Sequence, residues 1–361
     1  MVNTEKVKMS PLYLTLIRQL HQDKVEINDR KIGRLGSIDI DDHGFIDFPE
    51  FHFEPEVCED GLVHGCALIG KNFRRFLNEM PKYINRSSAL ACCWVGTLDR
   101  FMPLRLAEED RPAQLQETIR KYRITQAGFG GMNHLCPDTE IGLRLGWKGL
   151  LDKIRYYRKR NNPADPDFYE GEEQLVLGIL EWVKAHQLLA EQLAREETDP
   201  FRKENYEAIA AVNEALCYRA PETFREAVQF LAHFQSVDRT YCGGGALGSL
   251  DTLLEEYFER DTAKGILTEE EAVWMIASLF FNDTHYTQIG GLTPAGDREV
   301  TSRLSFVILD AMHLLQIPTN LAVRVHAPVP GQTEEAEILL KRAVEYTLEA
   351  VSYTHLRAHE T

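Results

Sequence analysis

Apolar residues recur along this chain mostly at helical spacing. The clearest case runs from 172 to 196. There Leu175, Ile179, Trp182, Val183, His186, Leu189 and Leu193 share one side, with acids and Lys184 opposite. That spacing predicts an amphipathic helix with its apolar stripe against a core. Similar but shorter patterns predict helices over 12–20, 141–157, 204–217, 221–234, 250–258 and 334–349, and one ending over 118–124. Pro221 suits the first turn of its helix, where an N–H has no intrahelical partner to lose. Gly265 is placed to close the helix that starts at Leu250. Thr268 and Glu271 read as a capping box opening the next. In the last helix Ala336, Leu339, Leu340, Ala343, Val344 and Leu348 form the apolar side.

Strand patterns are few. Leu321, Val323 and Val325 alternate with Arg324 and His326, a period of two. Residues 288–292 form a weaker candidate. Helices separate these segments by more than a crossover needs, which favours parallel strands in an α/β fold. The uncharged run 87–98 reads as a buried strand or helix core. It is too short for a bilayer, which needs about 20 residues. Residues 160–167, rich in Asn, Pro and Asp, read as a helix connection at the surface.

Composition narrows the function classes. Of 361 residues 44% are hydrophobic, enough for a sizeable core. The net charge of −16 repels phosphate backbones, so nucleic acid is not an expected partner. The basic run 158–160 ends a helical pattern, where cations suit the helix dipole. The N-terminus has no apolar stretch of the signal-peptide kind, and a soluble cytoplasmic protein without membrane contact is expected. Seven cysteines without a CxxC pair fit reduced thiols, not a disulfide framework or zinc ribbon.

After residue 349 the apolar stripe stops and no cap follows. Residues 350–361 are therefore expected to be foreign to the natural protein, such as translated adapter, and 1–349 to be the domain. His355 and His359, one helical turn apart beside Glu360, have zinc-compatible spacing. In such a tail they read as an accidental pair, and no metal site is expected.

Several groups can carry chemistry. His134, Cys136 and Asp138 lie in a short turn entering a helix. A His and an Asp there can bind a polar substrate or shuttle a proton. Asp138 alone reads as an N-cap, and His134 stays open between the two roles. Tyr241-Cys242-Gly243-Gly244-Gly245 is a Gly-rich loop before a helix. It can cradle phosphate in principle, yet no Gly-Lys-Ser/Thr follows. Its glycines read as places where backbone passes close to a ligand or strand. Cys242 is either a pocket thiol or a small buried hydrophobe. Gly290-Gly291, Gly296-Asp297, Thr301 and Leu304-Ser305 read as turn and helix-start residues. Arg324 and His326 leave their strand opposite the valines, toward a cavity or, for the Arg, into a structural salt bridge.

The order of these pieces from Gly243 to His326 resembles the pyruvate formate-lyase-like glycyl radical enzymes. So does the His-x-x-Pro-Asp stretch leading to Gly146-Trp147-Lys148-Gly149, and the likeness extends over about 131–349. It implies the N-terminal half of a ten-stranded α/β barrel, helix-rich and incomplete here. It also implies a formate acetyltransferase, lyase, dehydratase or decarboxylase that cleaves C–C or C–X bonds with a thiyl radical. In that family a radical-S-adenosylmethionine activating enzyme with an iron–sulfur cluster installs the glycyl radical, so no cofactor binds directly. Homodimers are usual.

The resemblance makes His134, Asp138, Cys242, Gly243, Gly244, Arg324 and His326 substrate-pocket candidates. The paired cysteines Cys92-Cys93 stand far upstream of the family's catalytic pair and read as core. Neither Gly-Cys-x-Glu nor Arg-Val-x-Gly-Tyr occurs, so the radical Cys and Gly are expected beyond this chain. No catalytic residue is assigned in it. By itself the chain is expected to be inactive and, with open strand edges, poorly soluble. The Asn-Gly-His-Ser stretch of the diol dehydratase branch is also missing, which argues against a glycerol- or propanediol-type activity. The competing readings are a self-contained helical ligand- or partner-binding protein, and a metal-dependent lyase using His134 and His326.

Overall fold

A computed structural model describes residues 2–38, 43–104, 113–123, 136–293, 295–326 and 334–349. Eleven described helices surround one small sheet. In chain order they are α1 (Pro11–Leu35), α2 (Cys66–Glu79), α3 (Ala113–Tyr122), α4 (Thr139–Asn161), α5 (Asp167–Glu196), α6 (Pro200–Tyr218), α7 (Phe224–Cys242), β1 (Gly248–Ser249), α8 (Leu250–Ala263), α9 (Glu269–Asn282), β2 (Thr287–Ile289), α10 (Arg303–Leu315), β3 (Leu321–Val323) and α11 (Glu334–Glu349). The caps explain many of the starts. Asp199 and Thr223 each accept an N–H from three residues on, and Thr268 with Glu271 makes the reciprocal box expected from the sequence. Pro221 lies ahead of the Thr223 cap, outside its helix. Pro11 and Pro200 are prolines that do occupy a first turn.

Helix α1 is far longer than its apolar pattern, 25 residues against the nine expected. The reason is that Lys24, Asn28 and Lys31 occupy its buried face. Lys24 Nζ donates to Gly44 O at 3.0 Å and Lys31 Nζ to Phe45 O at 2.7 Å. These lysines satisfy carbonyls of the following loop, so polar residues stand where periodicity demands apolar ones. Helix α2 escaped the pattern reading as well. It crosses α5 at glycine: a Cβ on Gly70 would stand 2.3 Å from Gly171 O, and one on Gly178 2.7 Å from Arg74 Cα. Small residues thus let two backbones touch.

The run 87–95 is neither helix nor ladder strand. It threads extended between helices, and side chains satisfy its backbone. Gln229 brackets Ala91, accepting from its N at 2.8 Å and donating to its O at 3.1 Å. Ser278 accepts from Ala89 N, Trp274 donates to Ser87 O and Asn205 to Ser88 O. A buried backbone without ladder partners needs this kind of replacement. Cys92 and Cys93 are buried in it, and burial pushes the Cys92 thiol up to about 12 and the Cys93 thiol well above its ordinary value. Neither is available as a thiolate near neutral pH.

The three strands are parallel and lie in the order β1-β2-β3. Parallel crossovers within one sheet are as a rule right-handed, and for strands in sequential order that rule puts the connecting helices on one face. That face is apolar: Ile289 is 0% and Leu321 1% exposed. The strand at 321–323 is shorter than its alternation implied, and Val325 lies 63% exposed beyond it. In α11 the buried side is Glu335, Leu339, Arg342, Ala343 and Tyr346, whereas Val344 and Leu348 face outward. The expected apolar side is therefore only half buried. One contiguous hydrophobic cluster runs from α1 to α11. No described helix is long and apolar enough to cross a membrane.

Candidate active site

Residues from three separate motifs meet on one carboxylate. Asp251, in the first turn of α8, is buried. Its Oδ2 accepts Gly290 N at 2.7 Å and Ser305 Oγ at 2.6 Å. This contact ties the start of α8 to the double glycine after β2 and to the first turn of α10. Burial raises the Asp251 carboxyl, while these donors pull it back down. Gly248-Ser249-Leu250-Asp251, Gly290-Gly291 and Leu304-Ser305 therefore act together as a clamp at the C-terminal ends of the strands.

The clamp fixes the register of a second feature. Ser249 pairs with Gln288, and Gln288 with Ala322. These three stand side by side on the face opposite Ile289 and Leu321, because successive strand residues point to opposite faces. All three are half-buried, and Gln288 Nε2 donates to Ser249 Oγ at 3.1 Å. A parallel sheet normally has both faces covered by apolar layers. Here the face opposite Ile289 and Leu321 carries a small, half-buried polar row. Sequence reasoning missed this row, because strands of two and three residues leave too few positions for a period of two.

At the N-terminal end of β1 stands the loop after α7. Gly243 takes φ 67° and caps the helix, its N donating to Arg239 O at 2.9 Å. The buried Arg239 donates to Gly243 O, pairs with Asp283 at 3.1 Å and lies 3.8 Å over the Trp94 ring. Gln235 Nε2 holds Gly245 O at 2.9 Å, and Gly244 N turns back to Cys242 O at 2.6 Å. The N–H groups of Gly243 and Gly244 are thus spent on the helix end and on the loop itself. Gly245 sits close against the preceding helix: a Cβ there would stand 1.8 Å from Asp238 Oδ2.

Asp238 is the chemically distinctive group beside this loop. Burial pushes its carboxyl up to about 6, against pull from Cys242 and Arg239. The Cys242 thiol rises to about 12, first through burial and then through the Asp238 charge. Cys136 joins the group. Its Sγ stands 2.8 Å from where a Cβ on Gly248 would be, and the same two causes raise its thiol. A carboxyl that titrates near neutrality beside two protonated thiols is suited to moving a proton. The signal in the sequence was present, an Asp four residues before the Cys242 already singled out.

The remaining candidates divide. Asp138 caps α4, accepting Ile141 N at 3.3 Å, and is exposed. Arg324 and His326 lie past the C-terminal end of β3, at the other end of the sheet from Cys242, Gly243 and Gly244. Arg324 packs over Gly291, with Nε 3.0 Å from an added Cβ, and among the described residues it makes no ion pair. His326 pairs with Glu299, which also accepts from Thr301 N and Oγ1 at 3.0 and 2.5 Å. The two groups bracket the Ser249–Gln288–Ala322 row over a strand length of roughly 7–10 Å. His134 lies outside the described residues, as do the tail residues His355 and His359. A largely apolar cavity of about 490 Å³ opens beside the loop, with Tyr241, Cys66, Phe73 and Leu175 in its walls. That volume is in the range of small-ligand sites.

A helix-rich α/β protein with a small parallel sheet in sequential order and one polar, half-buried face is the class these features define. The profile of the family described as pyruvate formate lyase-like matches residues 106–360, and the chain belongs to that family. Relatives include the 4-hydroxyphenylacetate decarboxylase glycyl radical subunit of Clostridium scatologenes, 29% identical over 167 residues, covering 45% of this chain and 18% of the relative. Trans-4-hydroxy-L-proline dehydratase of Clostridioides difficile is 27% identical over 298 residues, covering 74% of this chain and 36% of that one. A solved structure concerning 1,2-propanediol dehydration in Roseburia inulinivorans shares the fold at a TM-score of 0.68 and 18% identity, over 96% of this chain and 50% of the other. The likeness in structure therefore reaches into the first hundred residues, where the sequence resemblance was poor. The chain spans about half the length of that solved protein and less of the curated relatives.

Proposed function

We propose that this chain forms one wall of the substrate cavity of a glycyl radical enzyme. On this reading residues 1–349 belong to the N-terminal half of its barrel and 350–361 are foreign sequence. The reactive cysteine and glycine are supplied by chain beyond these residues. The single observation that carries the reading is the in-register row Ser249, Gln288 and Ala322 on the sheet face opposite Ile289 and Leu321, bracketed by the Asp238–Cys242 loop and by Arg324 and His326. Parallel strands in sequential order suit the wall of a barrel, and on this reading the polar row faces its interior.

Installed by a radical-S-adenosylmethionine partner, the radical would supply hydrogen abstraction from a small organic substrate. The residues of this chain bind, orient and keep out water. The Gln288 amide and Ser249 hydroxyl suit a polar substituent such as a hydroxyl. Arg324, exposed at the strand end, suits a carboxylate. Asp238 suits a proton that must move to or from a leaving group. A hydroxylated organic acid meets all three better than a simple diol, and 4-hydroxyphenylacetate and hydroxyproline are acids of that kind. Lyase, dehydratase and decarboxylase outcomes remain within this proposal, in a protein free in the cytoplasm that pairs as a homodimer when complete.

The test has two parts. Reading the coding DNA past codon 349 is expected to enter a Gly-Cys-x-Glu segment within about 50 codons, a span set by the family pattern. A stop codon before any such segment overturns the fragment reading. The activated full-length enzyme is then offered hydroxylated acids and simple diols of matched size. Turnover of an acid, with KM raised in Arg324→Ala, supports the proposal. Turnover of diols alone overturns the substrate class.

A further inference from the structure

We propose that the loop ahead of α2 binds one zinc-class divalent ion through the Cys58 thiolate, the Asp60 carboxylate and the His64 imidazole. One ligand atom from each lies within 4.8 Å of the others. In tetrahedral zinc, bonds of about 2.0–2.3 Å place ligand atoms roughly 3.3–3.8 Å apart. Closure thus needs only about an ångström of side-chain movement.

The backbone already holds the three donors together. Cys58 N donates to Leu62 O at 2.7 Å and Gly61 N to Cys58 O at 2.9 Å, a tight turn that Gly61 permits at φ 78°. Asp60 Oδ1 accepts Leu62 N at 3.1 Å, which leaves Oδ2 directed at His64 Nε2, also at 3.1 Å. Val63 anchors the turn, since its side chain is buried and its N donates to Pro103 O at 3.0 Å.

The donor chemistry selects the ion. A thiolate with an imidazole suits zinc and disfavours calcium and magnesium, which prefer oxygen. Three protein donors leave the fourth position to water, the pattern of open zinc sites. Zinc takes cysteine as thiolate and histidine as neutral imidazole, so affinity falls as pH falls. His64 also borders the cavity beside Tyr241 and Cys66, which sets the ion at the rim of that cavity. This inference does not rest on the radical reading, and either can fail alone.

The experiment titrates the reduced, metal-stripped full chain with cobalt(II) and then zinc(II), with circular dichroism on every variant. One equivalent of cobalt with a thiolate-to-metal charge-transfer band, displaced by zinc, is expected. Cys58→Ser is expected to abolish the band. The exposed Asp60→Asn and His64→Ala are expected to weaken binding by more than the 10–100-fold that losing an outer partner costs. Cys66→Ser, at a neighbouring exposed thiol, leaves binding unchanged. Absence of the band, its survival in His64→Ala at full affinity, or its loss in Cys66→Ser overturns the site.

Discussion

Asp238 joins the last turn of α7 to the loop that enters the sheet, and its titration has a measurable consequence. Its folded carboxyl stands at about 6, above the ordinary 3.9 or so. A raised acid contributes stability below its unfolded value and loses that contribution as pH rises through the folded value. Between about pH 4 and 6 the native state therefore gives up stability at this site, about 1–2 kcal/mol after allowance for its partial access to solvent. Asp238→Asn is expected to exceed the wild type by that amount in urea melts at pH 7.5, with the gap shrinking toward zero at pH 4. An equal offset at both pH values contradicts this. Asp251 behaves differently, because it holds two donors. Asp251→Ala leaves Gly290 N and the Ser305 hydroxyl without their acceptor and is expected to cost about 2–4 kcal/mol. A double-mutant cycle with Ser305→Ala should give a coupling of about 1 kcal/mol or more, and strict additivity counts against the clamp.

At the level of elements, glycines with different surroundings separate packing from propensity. In α5, Gly171 has no room, since an added Cβ meets Cys66 O at 2.4 Å. Gly171→Ala must part α5 from α2 and is expected to destabilise by about 1–3 kcal/mol. Gly33 in α1 meets nothing within 4 Å. Gly33→Ala is expected to stabilise by about 0.5–1 kcal/mol through helix propensity alone. Thermal melts of the pair, read for opposite signs, check both. The same elements explain what the sequence could reveal. Helix α9 announces itself with Thr268 and Glu271 because capping is local chemistry. The parallel α/β arrangement was legible from helices spaced between sparse strand patterns. Helix α1 was cut short because Lys24 and Lys31 turn inward to carbonyls some fourteen to twenty residues away, a tertiary fact without a local sign. The run 87–95 looked like regular core for the same reason, since Gln229, Ser278 and Asn205 stand in for a missing ladder. In the site, Cys242, Arg324 and His326 were visible as residue types in suggestive places. The row they bracket was not, because its members come from three strands too short to show alternation.

For the whole molecule, what stays uncovered matters most. The sheet has β1 and β3 as its outer strands, Val325 is 63% exposed and Leu348 69%. Among the described residues no further strand pairs with β1 or β3, and unpaired edges with outward apolar side chains favour pairing with another chain. Size-exclusion chromatography of residues 1–349 is expected to show concentration-dependent self-association, relieved by co-expression with the rest of the gene product. A monodisperse monomer with cooperative unfolding contradicts that. The most direct measurement is electron paramagnetic resonance of the full-length gene product, treated anaerobically with its activating enzyme and S-adenosylmethionine. A glycyl radical signal in the full-length protein, and none from residues 1–349 under identical treatment, is the expected result. A full-length protein that takes up no radical contradicts it.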